Sequence, residues 1–401
     1  MRRAVLPTRP HNPRKLILRD NRHYFVMRIV CCQNVYQWSQ LQTDWDRLAG
    51  GCVFRTWRWL NTWWRHYGDL SASDATNLRV LLAFAYDGRA GAESQLAGAL
   101  PCYLQDSAIA GRVLRLLGDG EVCSDHLGLL AAPAQADAVV AAMASALIGD
   151  ESWDLLDFDA IDGADQTTRD LLAALRERGC RVDERPQPSC WRIALPGDWE
   201  EFLALQSKSH RKQLRRLDQR VLQTDDARWR LVESAADFER AWDVLADLHQ
   251  RRRRSLGEPG CFSWPRWAAF HHDVAKQLLA SGELRLSWLE LRGRPVAAEY
   301  HLARGDSVFA YQGGLDPDAA EDEPGRLSLI TTLKHAIGEG RTHFDLLRGD
   351  EPYKPHWRAE PQAVSRLLAV PPRYGPRLRY RARTAARAAG RWAKQATGLF
   401  S

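Results

Sequence analysis

The 401-residue chain has no apolar run near the ~18 residues that a membrane-spanning helix needs. Its basic N-terminus lacks a continuous apolar stretch and a small-residue cleavage site, so no secretory leader is expected. None of the eight cysteines forms a Cys-x-x-Cys pair, and none stands at zinc-ligand spacing to a histidine. The expectation is therefore reduced, partly buried thiols, no metal and a cytoplasmic location. The chain also lacks Gly-x-x-x-x-Gly-Lys-Ser/Thr, His-Glu-x-x-His and Gly-x-Ser-x-Gly. That removes P-loop, zincin and serine-hydrolase chemistry. Acidic residues are absent from 361–401, which hold nine Arg and Lys; the whole chain is +6, so residues 1–360 sum to −3. The body is nearly neutral and the basicity belongs to a tail, which argues against a nucleic-acid-binding body.

What is present is a globular composition, 45% apolar, in a chain long enough for two domains. The most informative stretch is 284–357. Leu284–Leu291, Val296–Leu302 and Ser307–Gln312 are short apolar runs separated by Gly-containing turns, which predicts an antiparallel meander. Leu327, Ile330, Leu333, Lys334 and Ile337 then fall at helical spacing, after Pro324-Gly325 and before Gly338. Phe344–Leu347 reads as a last strand, followed by a polar loop. A Gly/Pro-rich loop opening a helix offers backbone N–H groups to a pyrophosphate. Asp345, Arg348, Asp350, Tyr353 and Lys354 crowd the end of the last strand. Spacing alone leaves two readings of them open, chemistry or a solvated loop of ion pairs.

This order resembles the GNAT acetyltransferase fold, and more closely the CelD-type cellulose-biosynthesis branch, which is related to the Fem aminoacyl transferases. The residues that carry the resemblance are Tyr311-Gln312-Gly313-Gly314, Pro324-Gly325 and Phe344 to Lys354, the last run being the most specific. The loop from Gly313 to Arg326 departs from the family's Gln/Arg-x-x-Gly-x-Gly/Ala pattern for gripping coenzyme A, which leaves the acyl carrier open. The resemblance spans roughly residues 40–370 and implies tandem GNAT-like units, an α/β (α+β) fold in which each unit is a mixed, mostly antiparallel sheet flanked by helices. It implies an acyltransferase, of the N-acetyltransferase kind, using acetyl-CoA or another acyl-CoA on a small-molecule or glycan amine or hydroxyl, in cell-envelope or exopolysaccharide metabolism.

The first half supports a duplication. Leu78-Arg79-Val80 with the turn Asp87-Gly88-Arg89 parallels Leu284-Arg285-Leu286 with Arg292-Gly293-Arg294. Trp153-Asp154-Leu155-Leu156 likewise parallels Phe344-Asp345-Leu346-Leu347. The expected organisation is a disordered basic extension over 1–26, a degenerate unit over 27–195, the working unit over 196–370, and a basic amphipathic tail over 371–401. Met27 is a candidate alternative start. Trp57, Trp59, Leu60, Trp63 and Trp64 lie on a helix either as core or as a platform for a sugar, core being the commoner use. His271-His272 point about 100° apart on a helix and are not expected to share a metal.

A base, oxygen-holding donors and a phosphate site suffice for acyl transfer to an amine. Glu299 in the meander is the candidate base, Tyr311 the candidate acid and Asp350 a further catalytic candidate. Gly313, Gly314, Gly325 and Arg326 are the donor-binding candidates. Asp345, Arg348, Tyr353 and Lys354 are expected to orient the acceptor, with Lys208 and Arg211 on a basic helix as a cationic wall. Two rivals stay open: a Fem-like transferase using charged tRNA, and a non-catalytic glycan-binding scaffold. In the tail, Leu378, Ala382, Ala385, Ala389, Trp392, Ala396 and Leu399 recur at spacings of four and three, a face suited to peripheral contact with the inner membrane surface.

Overall fold

The computed structural model describes residues 15–20, 23–68, 77–87 and 94–398. The chain opens with an antiparallel hairpin, β1 (Lys15–Asp20) and β2 (His23–Cys32). Helices α1 (Val35–Ser39), α2 (Gln42–Ala49) and α3 (Trp57–Tyr67) follow. A meander comes next, β3 (Leu78–Asp87), β4 (Gln95–Ser107) and β5 (Gly111–Leu116), then the two-residue β6 (Leu130–Ala131). The first half closes with α4 (Ala136–Gly149), β7 (Leu155–Asp162), α5 (Gln166–Glu177) and β8 (Arg181–Ala194).

The second half adds α6 (Trp199–Leu205), α7 (Lys208–Leu217), β9 (Ala227–Leu231), α8 (Ala235–Ser255) and α9 (Pro265–Ala280). Its meander is β10 (Leu284–Leu291), β11 (Arg294–Arg304) and β12 (Ser307–Leu315). Then come α10 (Pro324–Gly338), β13 (His343–Arg348), β14 (Glu360–Val370) and α11 (Tyr374–Gly398).

All the strands join one sheet in the order β1-β2-β3-β4-β5-β7-β14-β8-β13-β12-β11-β10-β9, with β6 on β4. The order contains the same unit twice. Each has an outer strand (β2 or β9), helices, an antiparallel meander, a helix (α4 or α10), and a strand parallel to the end of the meander (β7 on β5, β13 on β12). The paired sequence segments at Leu78 and Leu284 open equivalent strands, β3 and β10. The turn residues Gly88 and Arg89 lie outside the described residues.

The units trade their last strands. β14 pairs with β7 of the first unit, β8 pairs with β13 of the second, and β8 and β14 pair with each other at the centre. A division of the chain at 195/196 therefore does not divide the sheet. The physical reason is that β7 and β13 each expose backbone N–H and C=O groups on one side, and these must be paired. The N-terminal stretch also differs from its expected extension without strand period. β1 and the start of β2 continue the sheet beyond β3, through backbone pairing that side-chain pattern does not encode; residues 1–14 lie outside the described residues.

Local chemistry explains the helix starts. Side chains of Thr56, Asp165, Asp198 and Ser207 accept from the free amides of α3, α5, α6 and α7. On α3, Trp59, Leu60 and Trp63 are almost wholly buried, and Trp59 Nε1 donates to Ser124 Oγ at 2.8 Å, so this face is core.

The start of α11 is docked on the body. Tyr380 is buried with Val113, Leu155 and Leu368; Arg377 donates to the Gly179 carbonyl; Arg379 pairs with Asp154 at 3.0 Å. The expected apolar face is thus turned outward at Leu378, Ala382 and Ala385, because one tyrosine buries far more area than alanines do. The side chains of Ala389, Trp392, Ala396 and Leu399 lie outside the described ones. No helix among the described residues is long and apolar enough to cross a membrane.

Candidate active site

β12 and β13 pair in parallel only from Ser307–Phe309 to His343–Asp345, and then part. β12 runs on to Leu315 along β11, while β13 stays with β8. α10 begins beside this parting. Its N-terminus has no side-chain cap: Glu323 takes the left-handed conformation, its carbonyl accepts from Arg326 and Leu327, and Pro324 has no N–H to offer. Gly325 lies against Leu315, where a Cβ would meet a Leu315 methyl at 3.3 Å.

Glu299 pairs with Gly313 across the β11–β12 ladder and shares its face of the sheet; a Cβ on Gly313 would sit 2.8 Å from the Glu299 carboxylate. The carboxylate is 3.3 Å from His301 Nε2 and partly exposed. Leu315 lies two residues further along the same face, so the β12 residues beside Glu299 and beside the mouth of α10 are roughly 7 Å apart along the strand. Tyr353 joins them from the loop after β13. Burial pushes its phenol pKa up, and the neighbouring carboxylates of Glu351 and Glu299 push it further.

α7 closes the other side. Gln213 donates to Glu323 at 3.2 Å, Arg216 reaches the same carboxylate at 3.5 Å, and Arg326 pairs with it too. The His210 ring stands edge-on to Trp357, 5.3 Å between centroids. Lys208 and half-buried Arg211 occupy the first turn of α7, and neither has a carboxylate within ion-pair reach among the described residues. The structure therefore gathers Glu299, Gly313, Tyr353, Gly325, Arg326, Lys208 and Arg211 on one side of the sheet.

The other candidates are engaged elsewhere. Tyr311, expected as the acid, packs on the opposite face among Phe54, Trp59, His271 and Tyr300. Its hydroxyl donates to the Val122 carbonyl and meets His271 Nε2 at 2.9 Å; burial drives its pKa well up. Gly314 serves α8: a Cβ there would lie 2.5 Å from the His249 amide. Asp350 accepts from the Ser189 amide and from Trp191 Nε1 at 3.0 Å, and so ties the loop to β8. Lys354, 2% exposed, donates to the Leu347 and Gly349 carbonyls and to Glu351, holding the loop together.

Asp345 and Arg348 belong to a buried junction between the units. His126 stands between Asp162, at the end of β7, and Asp345 on β13, at 3.0 Å from each. Arg192 approaches Asp345 at 3.4 Å, and Arg348 pairs with Asp125 and Asp159 at 3.2 and 3.4 Å. Burial alone would lower the imidazole's pKa, but the two carboxylates outweigh it and raise it to about 10. Burial would likewise raise Asp345, yet His126 and Arg192 hold it below the ordinary range. His126 carries no signal in the sequence. Its loop position falls in no recognisable motif, and its partner Asp345 lies 219 residues away.

Comparison with known proteins places this geometry. Residues 208–355 match the family described as acetyltransferase (GNAT) domain. Among solved structures, the chain resembles one titled as FemX (TM-score 0.56, 11% identity, covering 81% of this chain and 95% of that one). It also resembles a conserved protein of unknown function from Bacteroides thetaiotaomicron (TM-score 0.53, 10% identity, 85% and 99% covered). A tandem GNAT protein from the clavulanic acid biosynthesis pathway gives a TM-score of 0.42 at 13% identity, with 87% and 99% covered. No curated protein matches. Residues 208–355 are thus similar to a GNAT acetyltransferase domain, and about four-fifths of the chain shares the fold of the FemX structure.

Proposed function

We propose that the protein transfers an acyl group from acyl-CoA to an amine, with the second unit holding the reaction. The observation that carries this reading is the parting of β12 and β13 beside the uncapped mouth of α10, with Glu299 on the same face. A carrier's pantetheine arm fits between strands that have separated, and its phosphates suit a helix N-terminus flanked by Arg326, Arg211 and Lys208. Glu299, acting directly or through one water, takes the proton from the attacking amine. Tyr353 walls the acceptor side. The CelD-type resemblance makes a sugar amine a reasonable acceptor class.

A second reading is favoured by the loop before α10. Asp316, Asp318, Glu321, Asp322 and Glu323 put five carboxylates into eight residues, and Glu323 reaches the mouth itself. Four of these carboxylates are paired with arginines, which limits their repulsion of a phosphate, but a carrier such as aminoacyl-tRNA, gripped mainly away from this loop, would meet them less. Calorimetric titration with acetyl-CoA decides between them. Saturable binding, lost in Arg326→Glu, supports the CoA reading; no binding, together with transfer from aminoacyl-tRNA, replaces it with the Fem-like one.

A further inference from the structure

Behind β12, on the face away from Glu299, α8 and the turn before α9 bring a thiol and an imidazole together. His249 is 2% exposed. Gly314 lets the backbone of α8 approach β12 closely enough for His249 Nδ1 to reach the Gly313 carbonyl at 2.9 Å. A carbonyl can only accept, so Nδ1 carries the proton and the Nε2 lone pair is free. Nε2 faces the sulfur of Cys261 at 3.4 Å, and the Gln312 amide donates to that sulfur, also at 3.4 Å. A nucleophile, a base within hydrogen-bond reach and a third group that fixes the base's orientation are the parts of an activated nucleophile.

We propose that Cys261 and His249 form a second nucleophilic site, a thiol–imidazole pair that takes an acyl group from a small activated ester or thioester. The thiol proton passes to His249 Nε2 as the sulfur bonds to the acyl carbon. The carbonyl re-forms as the carrier's oxygen or sulfur departs, and that leaving group takes the proton back from His249. The products are a thioester on Cys261 and the free alcohol or thiol of the carrier.

Burial keeps the resting pair neutral and works against forming the ion pair before attack. Burial pushes the Cys261 thiol up to about 12, against the backbone amides of Cys261 and Phe262, the Gln312 amide and Arg253. Burial also lowers His249 below its ordinary 6.5, against its bond to Gly313. The resting pair is neutral, so the proposal has proton transfer to the imidazole accompany attack rather than precede it. Of the eight cysteines, Cys31 and Cys123 are exposed, Cys52 and Cys261 half-buried and the rest buried. Cys261 is thus partly exposed as a residue, less so than Cys31 and Cys123.

The test treats the full-length protein with p-nitrophenyl acetate and maps acetylated peptides by mass spectrometry. One acetyl thioester per chain at Cys261, absent in Cys261→Ser and formed at least about tenfold more slowly in His249→Gln, is the expected result. Acetylation of Cys31 and Cys123 with Cys261 unlabelled overturns the proposal. So does equal labelling in a His249→Gln protein whose melting curve is unchanged. If that variant does not fold, the pH profile of the native protein decides. A rate that levels off above the imidazole's lowered pKa supports the pair; one that climbs toward the thiol's own value near 12 overturns it. The probe contains no coenzyme A, so this outcome is independent of the acetyl-CoA titration.

Discussion

In the first unit the connection between β5 and α4 sends a continuous stretch through the interior; in the second, the connection between β12 and α10 does not. Residues 124–130 are all buried. This segment pairs with β4 through β6, bonds Thr168 on α5 through the Leu129 amide, and sends His126 to the end of β7. Residues 316–323, its counterpart, are mostly solvent-accessible, with only Asp316 buried. Two units with one strand order have thus put the same connection to opposite uses. One spends it on joining the halves; the other leaves the mouth of its helix accessible. The contrast fits the proposal that the second unit holds the reaction.

The sharpest way to break this contrast is Glu299→Gln. Under the proposed reading, turnover falls by roughly 10²–10⁴ while the melting temperature hardly moves; a large loss of stability with turnover per folded molecule unchanged would make Glu299 structural. His126→Ala should do the reverse. Removing the cation between buried Asp345 and partly buried Asp162 is expected to cost about 3–5 kcal/mol, read as a lower urea midpoint.

The same residue gives the junction a pH signature. Because the folded state raises its pKa, His126 contributes fully below its ordinary 6.5 and loses that contribution as pH climbs through about 10. Asp162 and Asp345, both held low, stay ionised throughout this window. Urea midpoints should fall across it in the native protein and stay flatter in His126→Gln. Gly314→Ala tests the other face of β12. The added methyl must push α8 away, for about 1–3 kcal/mol, and should free His249 from Gly313 in the NMR spectrum of the ring. Smallest of all should be Asp318→Ala in the exposed loop. Its pair with Arg251 is open to solvent and worth about 0–1 kcal/mol, so the melting curve should barely shift.

Most of the second unit was legible because its elements are local. Gly-containing turns separate the strands of the meander, and Pro324-Gly325 and Gly338 bracket α10 within one stretch of chain. The equivalence of β3 and β10 was legible too, as a faint repeat. The exchange of β8 and β14 was not, since pairing between distant strands depends on which backbone groups remain unpaired and leaves no trace in composition. The site divides along the same line. The strand that holds Glu299 is legible, but its position opposite Gly313 depends on the β-bulge beside Tyr300 and His301, which shifts the register of this hairpin by one residue. The reassignment of Asp345 and Arg348 to the junction needs partners in residues 125–162, and that of Asp350 needs β8. Tyr311 was misread because a β-bulge near Tyr300 and His301 alters the ladder, and its ring enters the apolar interior.

The placement of β14 has a consequence for biosynthesis. This strand, residues 360–370, sits between β7 and β8, yet a ribosome makes it some 200 residues after the first of them. Vectorial folding of the first half therefore stalls one strand short of completion, and waits for nearly the entire polypeptide to emerge. Neither half is a portable cassette: shuffling one into another gene would carry off a strand that its sibling requires. A change that displaces either exchanged strand therefore disturbs both units together.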